Sequence, residues 1–531
     1  MGQDVKTCPV VDKTKISLPR VLSLWDVIMI VVGGVIGSGI FLSPSEIAAA
    51  VPAPLLMLAV WVVGGMFSFF GAVAFAELGA AMPEAGGIYV YLREAYGPLL
   101  SFLFGWTLFL VIDSGSIATL AVAFSHNILP RLVEMTPLAK KFIAAAFVAF
   151  LGAVNYVGLR WGSRLQNLTT YLKTSAIGII VVGVFFFAKG QGRPVNFVEP
   201  APGPFNFGLL GAFGVGLVAS LWAYKGWEAA TYSAGEVKNP RKNLPLGILI
   251  GTVSVIVLYV LANLAYLYIF PVGKIAASEG RVALDAMQII SGPFGASLIT
   301  FLILFSILGA ANQNMLTSPR VYFAMARDGM FFKKVAECHP KFLTPHVSIV
   351  AITVWSILLT LTGTFKQLFT YVIFGEWIFF GMTVAAVIVL RKKRPDLERP
   401  YKTWGYPVTP IIFVLAAVYV AVGSLLSSFK NAMFGLLIIC LGIPAYLYWA
   451  GKIKVDIIRK HMKTIGITCV VLGGAIAIWV ITRMNNLAGQ LHSWQPPFDR
   501  HEVVTIVGGV MAIVLIIIGV VGLTKKSQVQ K

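Results

Sequence analysis

Hydrophobic residues make up 58% of this 531-residue chain and charged residues only 12%, where soluble domains carry about a quarter, which excludes an ordinary soluble globular protein. The formal charge of +20 requires no nucleic-acid partner, because basic clusters such as Arg391 to Arg394 sit at the ends of apolar runs, where they orient a membrane protein and meet anionic lipid. Four cysteines without metal-ligand spacing or an extracellular disulfide framework, and no nucleophile elbow, HExxH or phosphate-cradling glycine loop, exclude the familiar enzyme chemistries and imply no cofactor and no metal.

A helical span needs about 20 apolar residues, and runs of that kind recur along the chain, whereas the ~10-residue alternating segments of a β-barrel do not. In chain order the expected spans are 24–50, 53–82, 99–125, 142–158, 165–188, 209–235, 246–270, 294–318, 347–364, 368–390, 407–427, 432–450, 465–482 and 503–523. These are fourteen helices of an all-α integral membrane protein, with both termini on one side. The larger share of Lys and Arg falls on that side, so the N- and C-termini are expected in the cytoplasm. The first run has no small-residue cleavage site after it, so no cleaved targeting sequence is expected. The expected location is a cell inner (cytoplasmic) membrane.

The first span carries VIGSGIF, Val35 to Phe41, at its centre. Each glycine weakens a helix by about 1 kcal/mol relative to alanine, so a break is expected there. Non-helical backbone at that depth must be covered by protein or line a watery cavity; close helix packing is the plainer use of Gly33, Gly34, Gly37 and Gly39. The sixth span has a second interruption, SLWAYKGWEA from Ser220 to Ala229, with Lys225, Gly226 and Glu228 at hydrocarbon depth. Breaks in the first and sixth spans point to two inverted five-helix repeats, at 23–190 and 205–392, with the binding site between them. Residues 1–22 are then a cytoplasmic tail, 405–450 hold spans 11 and 12, and 451–531 hold a basic connector, spans 13 and 14 and the C-terminal tail. Free N–H groups at the start of the inner half of span one suit an anion, and free carbonyls at the end of the outer half of span six suit a cation. A molecule with a carboxylate and an ammonium a few ångströms apart, an α-amino acid, matches both.

Charged side chains at membrane depth are functional by default. Lys173 lies about eight residues into span five, where snorkelling to the headgroups is the plainer alternative. Lys225 and Glu228 are three apart and placed to pair across one helical turn, and Lys225 should repel a second positive charge on a substrate. Glu228 could instead face the substrate or take up protons. Asp113 in span three and Glu376 in span ten are either proton sites or hydrogen-bonded neighbours of polar helix faces. Glu77 and Glu236, at the inner ends of spans two and six, are expected in cytoplasmic networks with Arg93 or Arg241 that help shut an inner gate. Asn312 and Asn314 line the cavity or satisfy neighbouring backbone.

Five stretches, GGVIGSGIF (33–41), PEAGGIYVYLREAYG (83–97), WAYKGWEAATYSAGEVKNPRKNLP (222–245), NQNMLTSPRVYFAMARDG (312–329) and RPDLERPYKTWGYPVTP (394–410), resemble in order and spacing the amino acid–polyamine–organocation superfamily. Within it the chain is most similar to prokaryotic relatives of the L-type amino acid transporters. The resemblance implies a leucine-transporter-type 5+5 inverted repeat plus four additional helices, and sodium-independent uptake or exchange of L-amino acids by alternating access. Carried over by position, it implies that the amides of Ser38, Gly39 and Ile40 hold the substrate carboxylate. It likewise puts the ammonium on the carbonyls of Ile36, Trp222, Ala223 and Lys225, with Trp222 as the aromatic outer gate. It implies that Lys173 takes the place of a sodium ion, bridging the first, fifth and eighth helices, either bonded to carbonyls of the broken helix or releasing a proton during transport.

The chain departs from the family where Lys225 and Glu228 replace glycine or an acidic residue and then asparagine. Spans 13 and 14 exceed the usual twelve and are expected to serve packing, lipid contact or oligomerisation. The segment between Ser125 and Lys141 has no cysteine, so the disulfide that joins animal L-type transporters to an ancillary subunit is absent. The expected function is secondary active transport of L-amino acids, neutral ones, by proton symport or exchange. A cationic amino acid or polyamine carrier is the rival, which Lys225 opposes and Glu228 and Asp113 favour. A non-transporting amino acid sensor lacks a soluble effector domain.

Overall fold

The computed structural model describes residues 18–188, 197, 207–362, 365–427 and 429–453; the basic connector and the expected spans 13 and 14 lie outside the described residues. Two compact units divide the chain, Met1–Ile443 and Pro444–Lys531. In the second, the described residues 444–453 are helical. The candidate site lies in the first.

The first span is two helices. Ser23 opens α1 (Leu24–Val35) with a reciprocal capping box, its hydroxyl accepting from the Asp26 amide and the Asp26 carboxylate accepting from the Ser23 amide. The helix stops at Ile36, and α2 (Gly39–Ala50) resumes at an angle of 42°. Span two is α3 (Pro54–Ala81), started by a proline that needs no N–H partner. A short helix α4 (Ile88–Tyr96) then leads into span three, which runs through α5 (Pro98–Thr107), a π-helical stretch at Leu108–Ile112, and α6 (Asp113–Val122). The π-turn adds a residue and so rotates α6 relative to α5; the Leu110 carbonyl accepts the indole N–H of Trp355 at 2.9 Å.

Spans four and five are α7 (Pro137–Val157) and α8 (Leu159–Phe187). Span six begins as α9 (Phe207–Ala223), unwinds at Tyr224-Lys225-Gly226, and ends as a 3-10 segment, Trp227–Glu236. Beyond it come α10 (Pro240–Ile269), α11 (Val272–Ala276), α12 (Val282–Thr317), α13 (Pro319–Arg327), α14 (His346–Thr362), α15 (Phe365–Lys393), α16 (Val408–Ser427) and α17 (Phe429–Ile453). A helix thus stands at each of the expected spans up to residue 450. Seven described helices are long and apolar enough to cross a membrane, eight if the bent α1–α2 pair is one span. Large apolar side chains such as Leu55, Phe142 and Phe186 are exposed on the outside, a surface suited to lipid. The molecule is an all-helical, multi-pass membrane protein.

Glycine brings the two breaks together. Gly226 has φ +126°, and a Cβ there would lie 2.6 Å from the carbonyl carbon of Gly34 and 2.8 Å from the amide nitrogen of Val35. The unwound part of span six therefore lies backbone to backbone on the end of α1. On the other side of the break, a Cβ on Gly39 would come within 2.8 Å of the Ala223 Cα.

Because backbone cannot swing aside, Gly226→Ala is expected to cost roughly 3 kcal/mol or more and to lower the melting temperature in detergent or abolish folded protein. Gly178→Ala, on α8 with nothing within 4 Å of its Cβ position, should be neutral or stabilising by about 1 kcal/mol. Equal melting temperatures for the two variants would mean that the close approach does not exist.

Candidate substrate-binding site

Where the breaks meet there is a cavity of about 80 Å3, lined by Gly37, Ser38 and Gly39 from span one and by Trp222, Ala223 and Lys225 from span six. Ser116 and Thr119 of α6 and Ala310 of α12 close its far wall. At its near end the first turn of α2 has no side-chain cap. The Ser38 carbonyl accepts the amides of Phe41 and Leu42, at 3.1 Å each, while the amides of Ser38, Gly39 and Ile40 bond to no carbonyl among the described residues. A helix N-terminus with unpaired N–H groups favours an anion.

The carbonyls freed by the breaks are largely engaged. Lys173, fully buried, reaches from α8 and donates from Nζ to the carbonyls of Gly33 and Ile36, at 2.6 Å each. It does not snorkel. From α12, the Ser306 hydroxyl lies 3.3 Å from the Ile36 carbonyl and 3.1 Å from that of Gly37. The hydroxyl has one proton, for Ile36 or for Gly37, and a carbonyl has two lone pairs, so the Ile36 oxygen holds Lys173 and has room for one further donor. The Tyr259 hydroxyl of α10 is 2.9 Å from the Val35 carbonyl and 3.3 Å from that of Ala223, and can give its one proton to either. The Trp222 carbonyl accepts the Lys225 amide at 3.2 Å.

Lys225 does not pair with Glu228. Unwinding at Tyr224-Lys225-Gly226 removes the helical register on which a pairing across one turn depends. Lys225 Nζ instead meets Glu376 of α15 at 2.8 Å and donates to Ser116 at 3.2 Å. Glu228 turns back on its own backbone and accepts the Gly226 amide at 3.0 Å, capping the 3-10 segment. Asp113 accepts a hydrogen bond from Ser318. One partly buried ammonium thus stands among three buried carboxylates, Glu376 in contact and Asp113 and Glu228 within electrostatic reach.

The side that carries Leu18–Ser23 is closed by partners other than those expected. Glu236 pairs with Arg320 of α13, not with Arg93 or Arg241: two nearly parallel contacts of 2.7 and 3.1 Å, both side chains buried. The Glu236 carbonyl also accepts the amides of Val21 and Leu22, at 2.8 and 2.9 Å, so the segment before α1 is tied to the same residue. Glu77 pairs with Arg391 at 2.6 Å and accepts the Thr403 amide. Arg93 bonds Asp328, which also accepts from the Tyr89 hydroxyl at 3.0 Å. Its partial burial would lower the Arg93 guanidinium, but Asp328 outweighs this and holds it above its ordinary value. Arg241 meets Glu398 at the surface. Asn312 is a bundle contact, linking Asn155 and Gln166 at 2.9 Å each.

A family model for amino acid permeases matches residues 22–444. The b(0,+)-type amino acid transporter 1 of Mus musculus is 31% identical over 474 residues, covering 87% of this chain and 95% of that protein. The large neutral amino acids transporter small subunit 2 of the same organism is 32% identical over 459 residues, 83% of each chain. The serine/threonine exchanger SteT of Bacillus subtilis (strain 168) is 31% identical over 431 residues, 81% of this chain and 96% of that one. These relatives are transporters, not enzymes. One of them is by name a small subunit, so the missing cysteine between α6 and α7 is no ground for a chain that works alone. The chain belongs to the amino acid permease family of the amino acid–polyamine–organocation superfamily.

Proposed function

We propose that this protein is a sodium-independent secondary active carrier of neutral L-amino acids in a cytoplasmic membrane, working by alternating access about the breaks in spans one and six. The observation that carries the reading is that two unwound segments, packed backbone on backbone, share one cavity. The substrate carboxylate sits on the amides of Ser38, Gly39 and Ile40. The ammonium faces the carbonyls at the end of α9, those of Trp222, Ala223 and Lys225, and shares Ile36 with Lys173. Trp222 closes the outer side. Residues 23–190 and 205–392 form the two repeats, and both termini are cytoplasmic.

Lys173 supports sodium independence: its Nζ lies on the carbonyls of Gly33 and Ile36 and so fills the place a sodium ion would need there. Lys225 in the cavity wall supports the exclusion of cationic substrates. A second positive charge on the substrate meets it, and like charges brought together cost several kcal/mol. The excess of carboxylates over ammonium favours proton symport, and the exchange named for one relative favours exchange.

Uptake of labelled L-amino acids into proteoliposomes without sodium tests the reading. Neutral amino acids are expected to enter and arginine to be excluded. Accumulation in empty vesicles under an inward proton gradient would establish symport; entry only into preloaded vesicles would establish exchange. No uptake of any amino acid, or an absolute need for sodium, would overturn the proposal.

Cytoplasmic closure rests on Glu236. Removing one partner of a buried ion pair costs about 3–5 kcal/mol, so Glu236→Gln should release the inner side. A single cysteine at Ala85, buried in the closed form, is expected to react with a soluble maleimide at least tenfold faster in the E236Q background. An unchanged labelling rate would show that the pair does not hold the gate.

A further inference from the structure

Carboxylate and ammonium are common to all amino acids and leave the far wall of the cavity unexplained. That wall is polar. Ser116 and Thr119 lie three residues apart on α6 and so on one face, opposite Lys225. Ser116 is already engaged, donating to the Ile112 carbonyl at 2.7 Å and accepting from Lys225 at 3.2 Å. Lys225 uses two of its three N–H donors on Ser116 and Glu376, which leaves one.

Thr119 is different from its neighbours. A threonine inside a helix normally bonds the carbonyl four residues back, as Thr107, Thr174, Thr252 and Thr360 do here. The Thr119 hydroxyl does not: it is buried, with 5% of the residue exposed, borders the cavity, and has no hydrogen-bond partner among the described residues. A buried hydroxyl left unpaired is unfavourable, and of the side chains unpaired in this way Thr119 is the one among the described residues that lines this cavity, where a ligand can supply the partner.

We infer that the protein selects small amino acids whose side chain carries a hydroxyl or a carboxamide, read jointly by Thr119 and Lys225. The inference rests on the amino acid carrier reading and names the substrate class within it. A hydroxyl accepts from the remaining Lys225 N–H and donates to the Thr119 oxygen; a carboxamide does the same with its oxygen and its NH2. A cavity of about 80 Å3 bounded by Trp222 and Ala310 limits the size. An apolar side chain of equal volume closes the site over two unpaired polar groups, the situation in which a hydrogen-bonding site rejects the analogue that lacks the group.

The test is competition against labelled serine uptake in sodium-free proteoliposomes, with near-isosteric pairs: threonine against valine, serine against alanine, asparagine against leucine. The polar member of each pair is expected to compete at concentrations at least tenfold lower. Thr119→Val, which exchanges the hydroxyl for a methyl group of similar size, is expected to reduce the threonine-over-valine preference about tenfold, the loss of one hydrogen bond. Equal competition by valine and threonine in the parent, or an undiminished preference in T119V, would overturn the inference while leaving the carrier reading intact. Absence of uptake for any amino acid would overturn both.

Discussion

A peptide group taken out of a helix inside a membrane has no water to turn to, and the architecture of this site depends on where its freed groups find partners. Lys173 takes the carbonyls of Gly33 and Ile36, Ser306 adds to Ile36 and Gly37, Tyr259 serves Val35 and Ala223, and the Glu228 carboxylate takes the Gly226 amide. These partners come from α8, α12, α10 and the 3-10 segment, so each break is held by elements on several sides. Against that background of satisfaction the amides of Ser38, Gly39 and Ile40 stand out, together with the Thr119 hydroxyl across the cavity. On the proposed reading these are the groups that would meet a ligand's anionic end and its hydrogen-bonding side chain.

The two lysines at the breaks, Lys173 buried and Lys225 partly so, solve the same problem in different ways. Lys173 is satisfied by carbonyl oxygens, which bear partial charge and stay with the helix that carries them. Lys225 is satisfied by a full carboxylate on another element, Glu376 of α15. The first arrangement fastens span five to the break. The second ties span six to spans three and ten through Ser116 and Glu376, and a displacement of span six against either must exchange those contacts for others. Burying such a pair contributes little net stability, but breaking it is costly. The cluster is therefore suited to making two discrete arrangements out of what would otherwise be a continuous slide.

The fold was legible because hydropathy and glycine act locally. Spans up to residue 450 could be placed from apolar length, and both breaks from Gly37-Ser38-Gly39 and from Lys225-Gly226, since a helix fails where its own residues weaken it. The backbone part of the site was legible for the same reason. What escaped the sequence came from elements far apart in the chain: Arg320 against Glu236, Glu376 against Lys225, Tyr259 and Ser306 against the first break, and Thr119 at the far wall. The expected pairing of Lys225 with Glu228 failed for a more instructive reason. It applied a helical spacing rule at a place where the same residues had already indicated that the helix stops.

The 3-10 segment Trp227–Glu236 connects these levels. Its first turn is capped by Glu228 against the break, and its last residue, Glu236, holds both Arg320 and the backbone of Val21 and Leu22. The segment is kinked at Ser233, where the backbone leaves helical geometry, so it runs from the cavity floor to the closure on the side of Leu18–Ser23 as two short pieces. Its side chains, among them Trp227, Tyr232 and Ser233, are buried. The free energy needed to part that pair, about 3–5 kcal/mol when one charge is left uncompensated, is of the size that a small ligand's binding can supply. The floor of the cavity and the closure on that side are in this way the two ends of one ten-residue segment.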